Sequence, residues 1–239
     1  MPSLHALALW PAVALFAAAA LLILVVGTRL TRIADVLADR TGLGEAVAGA
    51  VLLGATTSVS GTATSVAAAA VGDVDLAYAN ALGGIAVQTA FLAVADVAYR
   101  RANLEHAAAS VSNLTQATLL VVLLCIPLVA AMVPPVTVLG IHPATVVLVV
   151  VYVTGVRLAM RDREQPMWTP RETSETRTEV PDDDSFRGPS TVALWVRFAG
   201  YVAAIGIAGW VVARTGSSIG RELGLAGSVV GGLMTSTVT

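Results

Sequence analysis

The sequence predicts an all-α membrane protein, a polytopic bundle of spanning helices arranged as an inverted repeat. Three observations carry that expectation. The 239 residues are 56% hydrophobic and 13% charged, with a mean hydropathy of +0.79, whereas a soluble domain carries about a quarter charged residues. The charges fall in short clusters between apolar runs, and those runs repeatedly reach the roughly 20 residues a helix needs to cross the hydrocarbon core. Two Gly-rich segments, one near residue 42 and one near residue 224, share a pattern.

Taken in order, the first span is expected over about 6–27. It is expected to be a span rather than a signal peptide: residues 1–5 lack a positive charge, the apolar run is long, and no small-residue cleavage site is evident. The second, over 46–70, is rich in small and hydroxyl side chains. The turn Gly72-Asp73-Val74-Asp75 leads to a third over 76–98. A fourth over 114–134 carries Pro127, which is expected to kink it, and stops at Pro134-Pro135. Gly140-Ile141-His142-Pro143 turns the chain into a fifth over 142–160. Residues 161–190 are rich in Asp, Glu, Thr, Ser, Pro and Arg, cannot bury a core, and read as an acidic disordered linker. Within it Asp182-Asp183-Asp184 is a solvated patch, because no Gly and closing Glu of a calcium loop surround it. A sixth span follows over 191–213, and a seventh opens near 223 and runs to Thr239.

Arginine sets the orientation. Arg29, Arg32 and Arg40 follow span one, Arg100 and Arg101 follow span three, and Arg157, Arg161 and Arg163 close span five. The intervening turns at 71–75 and 135–142 have none. The N-terminus is therefore expected outside the plasma membrane and the 161–190 linker in the cytoplasm. Arg214 and Arg221 fall on the outer side and depart from the rule. The chain thus divides into a first transmembrane half (1–160, with a repeat unit at 42–101), the linker (161–190) and the start of a second half (191–239).

Several classes of function are excluded. A net charge of −2 leaves no basic footprint for nucleic acid. One cysteine, Cys125, permits neither an intrachain disulfide nor a cysteine-rich metal site. His5, His106 and His142 lie at ends or turns, so a histidine metal cluster and a proton relay are unsupported. An intramembrane serine enzyme would need a base near Ser58 or Ser60, yet the chain has no Lys and no span holds a His. No enzymatic activity and no cofactor are expected. Trp10, Trp195 and Trp210 fit interfacial anchoring.

The matching segments are Gly42-Leu43-Gly44-Glu45-Ala46-Val47-Ala48-Gly49 and Gly224-Leu225-Ala226-Gly227-Ser228-Val229-Val230-Gly231. In register, Thr57 falls on Thr239. Span two runs from inside to outside and span seven the other way, so the units are inverted, a signature of secondary transporters whose site lies near the midplane between the halves.

Spans two and three are polar where membrane helices seldom are. Gly54, Ser58, Gly61 and Ser65 form one stripe at helical spacing with Thr57 beside it, and Asn80, Gly84 and Gln88 form another. Two readings stay open here. The stripes can face each other and replace a cation's water shell, or they can serve helix packing, with small residues allowing close approach and hydroxyls bonding across.

Residues 42–101 resemble the first conserved repeat of the sodium/calcium exchanger (cation/calcium antiporter) superfamily. That family typically shows G-L-S-E…G, then A-L-G-T-S-L-P-E, then G-N-x-x-G-S-N-x-x-N in the following helix. Here the corresponding stretches are Gly42-Leu43-Gly44-Glu45…Gly49, then Gly54-Ala55-Thr56-Thr57-Ser58-Val59-Ser60-Gly61, then Ala79-Asn80-Ala81-Leu82-Gly83-Gly84-Ile85-Ala86-Val87-Gln88. The resemblance implies an antiporter of five plus five spans, of which six and part of a seventh are present, working on calcium, sodium or hydrogen ions in the lipid bilayer. It implies that Thr57 and Ser58 are cation ligands, with Gly54 offering a carbonyl and Gln88 an amide oxygen in place of the final Asn. Asn80, on the same polar face, is a further candidate cation ligand, as are Ser236 and Thr239 of the second repeat, which match Gly54 and Thr57. The departures are specific. The motif's Glu is Gly61, its Pro is Ser60, and the Ser-Asn pair of the next helix is Gly84-Ile85. The repeat then supplies no midplane carboxylate, which favours a monovalent ion or dependence on a Glu from the second repeat. By resemblance the chain is expected to continue beyond Thr239 as Ser-Leu-Pro-Glu and three helices, and not to transport by itself. The alternative is a non-transporting or degenerate membrane paralogue.

Overall fold

A computed structural model describes residues 8–41, 54–99, 106, 109–134, 136–169, 171 and 188–239, with the side chains of 55–57 outside that description. The described secondary structure is helical: α1 (Leu9–Thr41), α2 (Gly54–Ala70), α3 (Val74–Ala98), α4 (Val111–Met132), α5 (Pro143–Glu164) and α6 (Thr191–Glu222). A last segment begins as α7 (Gly227–Val229), continues as a π-helical stretch (Val230–Thr235) and ends as α8 (Ser236–Val238). Among the described residues α1, α3, α4, α5 and α6 are each long and apolar enough to cross a membrane. The polytopic all-α membrane bundle is therefore the fold. The opening motif at Gly42–Gly49, Glu45 included, the arginines at 100–101 and the Asp182–Asp184 patch lie outside the described residues.

Turn chemistry ends the helices where the sequence places it. At the end of α2 the N–H of Asp73 bonds the Ala68 carbonyl (3.0 Å) and that of Gly72 the Ala69 carbonyl (3.0 Å). Gly72 has φ +81°, a conformation that costs other residues the clash of a Cβ. Gly224, at φ +64°, closes α6 in the same way, with Leu225 N–H on the Gly220 carbonyl (2.8 Å). Between α4 and α5 a tight turn pairs Val138 with Ile141, and His142 then caps α5, its Nδ1 accepting from the Ala144 N–H (3.1 Å) with Pro143 in the first helical position. The helix α4 continues through Pro127 to Met132.

Three helices outrun the spans expected of them, each for a visible reason. Beyond residue 27, α1 keeps an apolar stripe of Leu30, Ala34, Leu37 and Ala38 buried while Arg29, Arg32 and Asp35 stay exposed. Its Arg40 donates to the Pro189 carbonyl (2.6 Å). At the end of α5, Arg161 and Arg163 complement the carbonyl end of the helix dipole and carry it to Glu164. In α6 the run from Thr215 to Gly220 is buried throughout.

The chain forms two compact units, one of residues 1–93 with 179–239 and one of residues 94–178. In the first, α6 packs against α1 and α2. Its core is made of small residues and a few branched ones: Ala67, Ala68, Leu76, Ala213 and Val230 in one cluster, Ala19, Ile23, Ala208 and Val212 in another. Small side chains matter because lipid supplies no hydrophobic drive between helices; close approach and hydrogen bonds do. Thus a Cβ built on Gly209 of α6 would stand 2.7 Å from the Ser60 carbonyl, and there Thr64 Oγ1 donates to the Gly209 carbonyl (3.0 Å). In the second unit α4 packs on α5. Ser112 Oγ donates to the Ala159 carbonyl (3.0 Å) and Thr115 Oγ1 to Asp162 (2.5 Å), which satisfies polar groups at one end of an otherwise apolar pair.

Candidate functional site

The polar stripes of α2 and α3 face one cavity, which Thr239 at the end of the last segment borders. Its volume is about 320 Å³, and its lining includes Ser58, Gly61, Thr62 and Ser65 from α2, Asn80, Gly84 and Gln88 from α3, and Thr239. Both stripes are set by helical periodicity: residues four apart on α2 and on α3 lie one above another. Glycine at 61 and 84 leaves room between them, since an added Cβ at Gly61 would reach nothing nearer than Thr239 Oγ1 at 3.7 Å and one at Gly84 nothing within 4 Å.

The third wall is held close. A Cβ on Gly83 would lie 2.5 Å from the Gly232 carbonyl, and one on Gly231 would lie 2.5 Å from the Leu76 carbonyl and 3.0 Å from the Asn80 N–H nitrogen. Glycine is required on both sides of this crossing. The π-helical register of Val230–Thr235 then brings Thr235, itself fully buried, onto Asn80. Such a turn is unusual within a helix and often marks a functional region. Asp73 ties the other end: its carboxylate accepts from the Leu76 N–H (3.3 Å), starting α3, and from Ser217 Oγ of α6 (2.6 Å).

Hydrogen bonds organise the floor of the cavity. Asn80 is 2% exposed. Its Nδ2 donates to the Gly61 carbonyl (3.1 Å) and to Ser65 Oγ (3.0 Å). Its Oδ1 accepts from Thr235 Oγ1 (2.5 Å) and faces Thr239 Oγ1 (3.4 Å). Ser60 Oγ donates to the main-chain oxygen of Thr239 (2.6 Å) from the flank of α2. The polar side chains that line the space are neutral: the hydroxyls of Ser58, Thr62, Ser65 and Thr239 and the amides of Asn80 and Gln88. Among the described residues no three of His, Cys, Asp and Glu gather where they could hold a metal ion.

Of the residues singled out in the sequence, the structure brings Ser58, Asn80, Gln88 and Thr239 to this cavity. It does not bring Gly54 or Ser236. Gly54 opens α2 and is exposed, and Ser236 is buried with its hydroxyl on the Gly232 carbonyl (2.6 Å). The backbone of Thr57 is in α2, and its side chain lies outside the described residues. Sequence reading did not single out Thr235, Thr62 or the second hydroxyl stripe of α2, Ser60 and Thr64, which bonds the last segment and α6. Their signal was present: a helix with hydroxyls on two faces needs two polar partners.

The profile of the family described as sodium/calcium exchanger protein matches residues 11–160, more than half of the chain. No curated protein and no solved structure matches.

Proposed function

The chain belongs to the sodium/calcium exchanger family, and from that premise we propose that it is a secondary active cation antiporter whose ion site is the cavity between α2, α3 and the last segment. The observation that carries this reading is the convergence of two polar stripes, one on α2 and one on the membrane-length α3, on one roughly 320 Å³ space. Polar groups at such depth are costly unless they pair or line a wet path. Ser58, Gln88 and Thr239 are the ligands proposed from this lining, and Thr57 is proposed from the family motif alone. Their oxygens replace part of the ion's water shell, and the ion is exposed to one side of the membrane and then the other as the repeats rock about it. The two repeats run in opposite directions, the N-terminus lies outside the plasma membrane, and the 161–190 linker is cytoplasmic.

Neutral oxygens suit an ion of low charge. A divalent ion loses more hydration energy on entry and is usually met by carboxylates, so sodium is the ion expected at the α2–α3 face, with calcium or hydrogen ions as exchange partners. The test is uptake into sealed vesicles containing the full-length gene product, driven by a sodium gradient. Gradient-dependent flux that falls at least roughly tenfold in Gln88→Leu is expected, the loss of one or two ligand interactions. Flux unaltered by that change and by Ser58→Ala removes the site. Gly61, standing where the family motif has Glu, favours a second reading: a degenerate paralogue that binds no cation. A melting temperature raised by millimolar sodium or calcium, and unmoved by choline, counts against it.

A further inference from the structure

We propose that Asn80 is a positioning residue, which aims the oxygens of Ser65 and Thr239 into the cavity through its bonds to both walls, rather than a ligand of the ion. This rests on the reading of the cavity as a cation site. A carboxamide has two N–H donors and two lone pairs on its oxygen. In Asn80 three of the four are engaged by protein groups at short distance: the donors by Gly61 and Ser65 of α2, and one lone pair by Thr235 of the last segment. The side chain is 2% exposed, so the amide oxygen presents little of itself to the cavity.

The hydroxyl partners gain what the amide gives up. The single proton of Thr239 Oγ1 points at the Thr235 carbonyl (2.9 Å) or at Asn80 Oδ1 (3.4 Å), so its lone pairs are left for the cavity that Thr239 lines. Ser65 Oγ, which also lines it, accepts from Asn80. Without Asn80 the Ser65 hydroxyl loses the donor that orients it, and Thr235 loses its acceptor on α3. Because the side chain bridges α2 and the last segment, it also sets the separation of two walls whose spacing decides how many oxygens reach one ion. Thr235 completes the device from behind. It is fully buried, gives its hydroxyl to Asn80 Oδ1 at 2.5 Å, and does not line the cavity.

Thr235→Val is therefore the decisive variant: it keeps the shape, removes that donor, and touches no ion. The measurement is the sodium concentration that half-saturates the rise in melting temperature of the purified chain, with choline as control. A shift of about five- to tenfold to higher concentration in Thr235→Val, the equivalent of one hydrogen bond, with recovery in Thr235→Ser, is the expected result. A lower melting temperature without sodium, but an unchanged midpoint, shows that the contact only stabilises the fold and overturns the proposal. If Thr235→Val does not fold, Ser65→Ala takes its place, and an unchanged midpoint there overturns it equally. No sodium response in the unaltered chain removes the cation site itself and is distinct from either outcome.

Discussion

Gly61 shows how much one position decides. It lies on the cavity stripe of α2, where the family motif carries Glu, and an added Cβ would meet nothing closer than Thr239 Oγ1 at 3.7 Å. Gly61→Glu is thus expected to be accommodated and to place a carboxylate among Ser58, Gln88 and Thr239. Titration with calcium followed by the change in melting temperature should show binding tightened by about tenfold or more, since a divalent ion gains most from a charged oxygen. Unchanged calcium affinity would mean that the side chain turns elsewhere. The neighbouring hydroxyl Thr64 has a different task. Its bond to the Gly209 carbonyl is buried at the α2–α6 crossing, so Thr64→Val should lower stability by roughly 0.5–2 kcal/mol and leave ion affinity as it was. Together the two substitutions separate ion binding from packing on a single helix.

Helix pairs in this protein meet through glycine, and the energetics follow from the absence of a hydrophobic drive in lipid. Where α3 crosses the last segment, backbone meets backbone. Gly83 would put a Cβ 2.5 Å from the Gly232 carbonyl, a backbone atom that cannot swing aside. Gly83→Ala is expected to cost about 1–3 kcal/mol as overpacking and to force the cavity's third wall outward, read as a lower melting temperature together with weaker sodium response. At Gly84, one residue on, nothing stands within 4 Å, and Gly84→Ala should leave stability within roughly half a kcal/mol. This contrast between neighbouring glycines was not legible in the sequence, where both belong to one small-residue run. The stripes themselves were legible, because a period of 3.6 residues fixes which side chains share a face whatever they pack against.

Among the described residues there are five helices long and apolar enough to cross a membrane, and their orientation in the bilayer is argued from arginine. Single cysteines placed at Leu139 and at Asp183, in a Cys125→Ser background, test it. Leu139 is 98% exposed at the tip of the α4–α5 turn. A membrane-impermeant maleimide applied to intact cells should label the Leu139→Cys protein and spare Asp183→Cys, and the reverse pattern would invert the proposed topology.

Composition and periodicity alone established the membrane class, the positions of the turns and the faces of α2 and α3, because each follows from local chemistry: hydropathy, glycine conformation and helical pitch. They left open whether the polar faces served packing or a cavity. They also missed the extent of α1 and α6, which ran on past the apolar stretch where a neighbour or a buried stripe supported them. Which hydroxyl reaches Asn80 was settled by residues 155 positions apart in the chain, Thr235 and Asn80, and by a π-helical turn that shifts register just before Ser236. Contacts of that kind depend on where two helices cross, and no pattern within either helix encodes the crossing point.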